Sequence, residues 1–268
     1  MNCKKIAFIN GKGGCSKTTS IFHIVGVLAD KGEKVLVVDF DKQRNTTDNF
    51  LSWEESNYSE GSSKTVLDFM LGKAKIEDVV KKSYIVGRNE RTPKYRNIDV
   101  LPADIRLEDE KLLRNVNIKK ELKAFIEENN YDWLIVDMPP SNKAVNKICF
   151  EQVVDYVITP CTSDRDSMSG YADLIDIVNE ARRENENLHI LGAFLGRYMS
   201  NCALDRYIKE QWQENFDELF IDVQIPLKAD VREGIMYYRP ISFYKLFSSS
   251  KSAYENLVKE IEKRIEER

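Results

Sequence analysis

Short runs of apolar residues recur along the chain and predict buried β-strands. Most of their positions are Val, Ile, Leu or Phe, and in most of the runs polar residues do not alternate with them. Continuous apolar runs of this length are typical of strands that are buried on both faces of a parallel sheet. The runs lie at residues 6–9, 34–39, 98–101, 133–137, 156–160, 188–197 and 220–225.

Between these runs, apolar residues recur at the spacing of one helix face. The first such segment, residues 17–31, carries Ile21, Ile24 and Leu28 on one face and ends before Gly32. Together with the flanking runs it predicts a right-handed βαβ unit. Further helices are predicted at residues 66–71, 76–80, 107–128, 171–183, 204–216 and 250–266.

The composition fits a globular α/β protein and excludes several classes. The chain has 268 residues, 42% of them apolar and 31% charged, which suits one large domain or two small ones. No apolar run approaches the ~20 residues of a membrane span, and we expect no signal peptide because the first residues lead straight into a strand. Five scattered cysteines without C-x-x-C spacing indicate reduced thiols in the cytoplasm.

Charge and histidine content add two negative conclusions. The net charge of −4 gives no global argument for nucleic-acid binding, so any such binding requires a local patch. The two histidines, His23 and His189, are far apart in the chain, and we expect them to be packing or surface residues rather than metal ligands.

The first strand leads into a glycine-rich stretch, residues 10–20, that predicts a phosphate-binding loop. Glycines let backbone N–H groups turn toward an anion, and the N-terminus of the following helix faces the same anion. Lys17 is placed to reach the β- and γ-phosphates of a nucleotide, and the Thr18 hydroxyl to bind Mg²⁺. Ser16 stands where the ordinary pattern has its second glycine, and Lys12 is an additional lysine near the start of the loop.

Acidic residues close two of the predicted strands on the side where parallel sheets bind ligands. Asp39 and Asp41 follow one run and point the same way, because residues i and i+2 share a face. Asp137 ends another run, and an acid at a strand end beside a phosphate loop is typical of a Walker B carboxylate that holds a Mg²⁺ water. Spacing alone leaves open that the first two acids only cap a helix.

The loop resembles a motif of a known family. Residues 12–19, Lys-Gly-Gly-Cys-Ser-Lys-Thr-Thr, resemble the deviant Walker A motif K-G-G-x-x-K-T-[ST] of the ParA/MinD family of P-loop ATPases, and especially its small ParA-type (Soj-like) members. Residues 42–47 and 137–141 resemble the family's P-Q-G-N-A-T and D-x-P-P-S segments. Residues 225–241 match I-P-R-x-V-x-x-S-E-A-x-x-x-G-x-P-I at equal length, with Arg232 in place of the serine. The resemblance implies one P-loop domain over residues 1–268, with a doubly wound, mostly parallel twisted sheet and helices on both faces.

The same resemblance assigns roles to individual residues. Lys12 corresponds to the signature lysine, which in the family reaches the nucleotide bound by the partner subunit. Asp41 corresponds to the residue that positions the attacking water, and Asp39 to a residue near the Mg²⁺ shell. The implied catalytic residues are Lys12, Lys17 and Asp41, and the implied metal-site residues are Thr18, Asp39 and Asp137. The implied nucleotide-binding residues are Gly11, Lys12, Gly13, Gly14, Cys15, Ser16, Lys17, Thr18, Thr19 and Pro226.

The resemblance also implies a function. The implied activity is slow, partner-stimulated hydrolysis of ATP with Mg²⁺ by a protein that forms an ATP-dependent sandwich dimer. The dimer would bind DNA non-specifically and drive plasmid or chromosome partition with a ParB-type centromere-binding partner. We expect a cytoplasmic, nucleoid-associated protein without a helix-turn-helix extension ahead of the loop. The candidate DNA contacts are Arg206, Lys209, Arg232, Arg239, Lys245 and Lys251.

Alternative functions remain at this stage. A MinD-like or other cargo-positioning ATPase would need a membrane helix or another cargo, but the tail, residues 257–268, lacks aromatic residues and has acids on its polar face, so we expect no membrane partner. A non-hydrolysing scaffold is disfavoured by Asp41 and Asp137. The basic segment 81–97 is either a solvated loop or a contact for DNA phosphates.

Overall fold

The computed structural model describes residues 3–52, 64–85 and 97–268. Within these residues, eight strands form one sheet. The strands are β1 (Lys4–Phe8), β2 (Val35–Asp39), β3 (Lys81–Lys82), β4 (Ile98–Leu101), β5 (Trp133–Asp137), β6 (Tyr156–Cys161), β7 (His189–Tyr198) and β8 (Phe220–Pro226). Their order in the sheet is β3-β4-β2-β5-β1-β6-β7-β8, so β1 lies in the middle, between β5 and β6.

All strand pairs are parallel except that of β3 with β4, which is antiparallel. Most α-helices of the described residues lie between the strands in the chain, and the last three follow β8. They are α1 (Lys17–Asp30), α2 (Asn45–Phe50), α3 (Val66–Met70), α4 (Ile76–Val79), α5 (Lys119–Glu128), α6 (Lys143–Ile148), α7 (Arg165–Ala181), α8 (Ala203–Phe216), α9 (Ala229–Met236), α10 (Ile241–Tyr244) and α11 (Ser249–Glu266).

Two apolar cores lie on the two faces of the sheet. Alternate residues of β5 show the division, because Leu134 belongs to one core and Ile135 to the other. The Ile135 core also contains residues of α1 and α11, and the Leu134 core contains residues of α5, α7 and α8. Helices therefore cover both faces, and the predicted α/β fold with a mostly parallel sheet is confirmed.

The predicted helix over residues 107–128 is wrong in its first half. A 3₁₀ turn covers Ile105–Glu108, and the helix begins only at Lys119. The Gln152 side chain explains the difference. Its Oε1 accepts a hydrogen bond from the Ile118 N–H at 3.0 Å, and its Nε2 donates to the Val116 carbonyl at 3.0 Å. These bonds satisfy backbone groups that a helix would otherwise pair.

The helix predicted over residues 171–183 begins six residues earlier, at Arg165. Asp164 is its N-cap, because its carboxylate accepts a hydrogen bond from the Ser167 N–H at 3.0 Å. No helix among the described residues is both long enough and apolar enough to cross a membrane.

Candidate functional site

The glycine-rich loop connects β1 to α1 at the carboxyl edge of the sheet. Two of its residues have left-handed backbone conformations, Gly14 at φ 78° and Ser16 at φ 66°. Glycine adopts this region without cost, whereas serine pays a steric penalty there. Lys17 is 7% exposed, and its ammonium donates to the Asn10 carbonyl at 3.4 Å. The loop therefore curls around its own lysine, the arrangement expected for a phosphate cradle.

Asn10 fixes the start of the loop against the neighbouring strand. Its Oδ1 accepts a hydrogen bond from the Lys12 N–H at 2.8 Å, and its Nδ2 donates to the Pro160 carbonyl of β6 at 2.8 Å. Asn10 is 5% exposed. A buried side-chain amide that bonds on both sides holds two segments at a fixed distance.

The second lysine of the loop has a different environment. The Lys12 ammonium lies 3.1 Å from Oδ1 of Asp164, the N-cap of α7, and the Lys12 side chain is 45% exposed. Burial opposes the charged form of Asp164, but hydrogen bonds from Thr162, Lys12 and Ser167 outweigh it and lower the pKa of this carboxyl. A negative charge therefore holds Lys12 beside the loop in this single chain.

The two predicted strand-end acids lie side by side, because Asp39 of β2 pairs in register with Asp137 of β5. The Thr18 and Thr46 hydroxyls donate to Oδ2 of Asp137 at 2.7 and 2.6 Å. Burial raises the pKa of Asp137. Burial also raises the pKa of Asp39, and the neighbouring Asp137 raises it further. Burial thus disfavours the charged forms of both acids.

Asp39 is satisfied by protein donors. Its Oδ1 accepts from the Asp41 N–H at 3.0 Å, and its Oδ2 accepts from the N–H and the hydroxyl of Thr47, both at 2.8 Å. These bonds fix the segment that follows β2. The role of Asp39 near a metal shell stays a prediction.

Asp137 fits a magnesium ion in its chemistry. Its Oδ1 is buried and has no hydrogen-bond partner among the described residues. An unpaired buried carboxylate oxygen is costly, and together with the Thr18 hydroxyl it offers the hard oxygen ligands that Mg²⁺ prefers. The described residues contain no cluster of three or more His, Cys, Asp or Glu able to hold a metal. Mg²⁺ generally keeps several waters and binds substrate phosphates beside one or two carboxylates.

A cavity of about 770 Å³ opens in front of the loop. Of the predicted nucleotide-binding residues, it is lined by 13–19 and Pro226 but not by Gly11 or Lys12. Asp41 also lines it. The Asp41 carboxylate accepts a hydrogen bond from the Gln43 N–H at 3.0 Å. The far wall consists of residues at the end of β8 and in α9.

His23 connects that wall to the helix of the loop. Its Nδ1 accepts a hydrogen bond from the Ile241 N–H at 3.0 Å, so its Nε2 carries the proton and donates to the Val231 carbonyl at 2.9 Å. Burial lowers the pKa of His23 to about 4, which keeps the ring neutral. The sequence placed His23 among packing or surface residues and gave no signal for this connection.

Arg197 is a second residue that the sequence missed. It lies at the end of β7 and lines the cavity, and its Nη1 is 3.4 Å from the Gly14 carbonyl. Thr46 is a third, with its hydroxyl on Asp137. A polar residue at the carboxyl end of a predicted strand is the signal that would have pointed to Arg197.

Most of the candidate DNA contacts have protein partners. Lys209 pairs with Asp222 at 2.7 Å, Lys245 with Glu233 at 3.1 Å, and Lys251 with Glu255 at 3.4 Å. Arg206 donates to the Ser200 carbonyl at 2.8 Å, and Arg232 lines the cavity. The side chain of Arg239 has no partner among the described residues. Within the basic segment 81–97, residues 86–96 lie outside the described residues, whereas Lys82 pairs with Asp99 at 2.6 Å.

Known proteins are similar to this chain in sequence and in fold. The family model named AAA_31, described as an AAA domain, matches residues 3–190, which is more than half of the chain. The chain belongs to this AAA domain family. The resemblance to ParA/MinD ATPases with Soj-like members is also confirmed by full-length relatives.

Two relatives and one solved structure illustrate the similarity. The sporulation initiation inhibitor protein Soj of Bacillus subtilis is 28% identical over 265 residues, 96% of this chain and 98% of Soj. The chromosome partitioning protein ParA of Caulobacter vibrioides is 25% identical over 270 residues, 98% of this chain and 95% of ParA. The ATP complex of a point variant of Cyanothece McdA matches with a TM-score of 0.79 at 20% identity, over 97% of this chain and 96% of McdA. The AAA domain of this chain therefore shares its fold with a protein whose structure holds ATP.

Proposed function

We propose that this chain is a ParA-type ATPase. It binds ATP with Mg²⁺, forms an ATP-dependent sandwich dimer, binds DNA non-specifically, and drives plasmid or chromosome partition with a ParB-type centromere-binding partner. It hydrolyses ATP slowly, and the partner raises the rate. The proposal places it in the cytoplasm, associated with the nucleoid. The similarity to the chromosome partitioning protein ParA supports this assignment.

The observation that carries the proposal is the different placement of the two lysines of the loop. Lys17 is buried and bonded to the loop backbone, whereas Lys12 is half-exposed and lies outside the residues that line the cavity. Lys17 is thus placed to bind the nucleotide of its own chain. The other stands at the edge of the site, from which a long side chain can extend to the nucleotide of a second copy.

The residues of the site divide the chemistry among them. Lys17 and the loop N–H groups offset the charge of the transferring phosphate. Asp41 faces the cavity from the segment that Asp39 fixes, and it orients the attacking water. Mg²⁺, held by Thr18 and Asp137, would supply the further positive charge that phosphoryl transfer requires. The presence of Asp41 in the lining favours hydrolysis over a non-hydrolysing scaffold.

The last helix argues against a MinD-like membrane anchor. The apolar residues Leu257, Val258 and Ile261 of α11 are at most 2% exposed and belong to the core that also contains α1. An amphipathic helix that binds lipid must present its apolar face to the bilayer. This face is already used inside the protein, so α11 cannot present it to a bilayer.

Light scattering with ATP, ADP and a non-hydrolysable ATP analogue tests the dimer. We expect the wild-type protein to double in mass with ATP or the analogue and not with ADP. Lys12→Ala should bind a fluorescent ATP analogue nearly as well as wild type and remain a monomer. Lys73→Ala removes an exposed lysine far along the chain from the site and serves as the control. A Lys12→Ala protein that still dimerises with ATP would remove the basis of the proposal.

DNA binding and stimulation need separate measurements. We expect the ATP-bound protein to bind random duplex DNA more weakly as salt rises, because binding releases counterions from the phosphates. The protein without a partner should release phosphate from ATP slowly. The absence of binding to random duplex even at low salt would contradict the DNA part of the proposal and leave the ATP-dependent dimer standing.

A further inference from the structure

Arg197 has a backbone conformation that arginine rarely adopts. It lies in β7 with φ 56°, in the left-handed region. For a non-glycine residue this region costs on the order of 1 kcal/mol or more, and such conformations concentrate at functional sites. A strained arginine at the carboxyl end of a parallel strand therefore calls for an explanation by function.

The strand end that carries Arg197 abuts the phosphate loop. A Cβ added at Gly196 would lie 3.4 Å from Cβ of Ser16, so the two backbones approach closely. The Arg197 guanidinium reaches the same loop, with Nη1 at 3.4 Å from the Gly14 carbonyl. This distance is long for a hydrogen bond, so the contact holds the guanidinium weakly.

The charges of the cavity favour an anion beside Arg197. The lining contains four cationic side chains, Lys17, Arg197, Lys228 and Arg232, and one acidic side chain, Asp41. Lys228 donates to the Ser249 hydroxyl. No carboxylate among the described residues forms an ion pair with Arg197. Guanidinium groups bind phosphate oxygens in a bidentate manner, which makes a phosphate the matching ligand.

We propose that Arg197 is a phosphate-binding residue of the nucleotide site in its own chain. On nucleotide binding, its guanidinium leaves the Gly14 carbonyl and contacts phosphate oxygens at the loop. The strained backbone is retained because it aims the side chain at the loop. This inference rests on the ATP binding of the proposed function and requires neither the dimer nor DNA.

Arg197→Gly separates this role from a structural one. Glycine adopts φ 56° without strain, so the unfolding midpoint of the variant should equal or exceed that of wild type. Its affinity for ATP should fall by about tenfold, the loss typical of one charge-assisted contact, while its affinity for adenosine stays unchanged. Arg197→Lys keeps the charge without the bidentate geometry, so its affinity for ATP should lie between those of wild type and Arg197→Gly.

The experiment is a titration of each protein with a fluorescent ATP analogue, ADP and adenosine, with thermal unfolding alongside. Arg183→Gln, which removes an exposed arginine after α7, controls for net charge. Unchanged ATP affinity in Arg197→Gly, or an equal loss for adenosine, would overturn the inference. If wild type itself fails to bind ATP, the proposed function falls together with the inference, whereas an unchanged variant beside a binding wild type overturns the inference alone.

Discussion

Protonation of His23 is expected to destabilise the protein under mildly acidic conditions. Both ring nitrogens are used, one as acceptor and one as donor, so an added proton on Nδ1 would break the bond from the Ile241 N–H. Burial lowers the pKa of His23 from 6.5 to about 4. Hydrogen bonding to Val231 and the charge of Asp230 act in the opposite direction and are outweighed.

The sign and size of the effect follow from this shift. Between pH 6.5 and about 4 the unfolded chain binds a proton that the folded chain excludes, so stability falls as pH falls. With these two values the loss by pH 5 is about 2 kcal/mol relative to neutral pH. Urea unfolding of wild type and His23→Gln at pH 7 and pH 5 measures it, because the variant should lack this part of the pH dependence.

His189 provides a matched control, since the chain contains two histidines. Burial, with the charges of Arg182 and Arg268, also lowers the pKa of His189, but its side chain is less enclosed. His189→Gln should therefore change the pH dependence less than His23→Gln. If the free energy of unfolding changed equally with pH in wild type and His23→Gln, the His23 ring would not be the titrating group and the reasoning would be refuted.

Three further predictions concern the loop and its acids. Without Mg²⁺ and nucleotide, burial raises the pKa of Asp137, so stability that is present at pH 4 is lost as pH rises. Because Asp39 beside it also has a raised pKa, Asp137→Asn should reduce this loss in urea unfolding without abolishing it, and its ATP binding should depend less on Mg²⁺. Ser16→Gly relieves the left-handed φ of 66° and should raise stability by up to about 1 kcal/mol, whereas a lower thermal midpoint would contradict the strain. Asp164→Asn keeps the helix cap but not the charge that holds Lys12, and half-exposed pairs of this kind are worth at most about 1 kcal/mol. Light scattering should therefore show that the variant dimerises at a few-fold lower ATP concentration than wild type. The same midpoint ATP concentration for dimerisation in both proteins would exclude a restraining role for the pair of Lys12 and Asp164.

The sequence could predict those parts of the site that depend on neighbouring residues. The order of strand, glycine-rich turn and helix is local, so the loop and α1 appear where the pattern placed them. The strand-end acids Asp39 and Asp137 could be placed at the same edge, because parallel strands end on one side of a sheet. No periodicity in the sequence predicts that Thr46 and Thr47 are their hydrogen-bond partners.

The parts that could not be predicted depend on contacts between distant residues. Gln152 keeps residues near Val116 and Ile118 out of a helix from more than thirty positions away. His23 bonds to Val231 and Ile241, which are 208 and 218 positions distant. Local helical spacing ignores such side chains, so it extends a helix too far and treats a bridging histidine as ordinary core.

Asp39 and Asp137 show how the fold separates two residues that look alike in sequence. Both end a buried apolar strand, both are at most 1% exposed, and they lie opposite each other in register. Each oxygen of Asp39 accepts at least one hydrogen bond from the segment 41–47, whereas Oδ1 of Asp137 accepts none from the described residues. An acid whose oxygens are all bonded stabilises a loop, and one with an unpaired buried oxygen retains the capacity to hold a cation or its water. The backbone N–H of Asp41 pairs Oδ1 of Asp39, whereas α2 donates to Oδ2 of each acid through Thr47 and Thr46, so the same short helix supports both carboxylates and leaves only Oδ1 of Asp137 unpaired among the described residues.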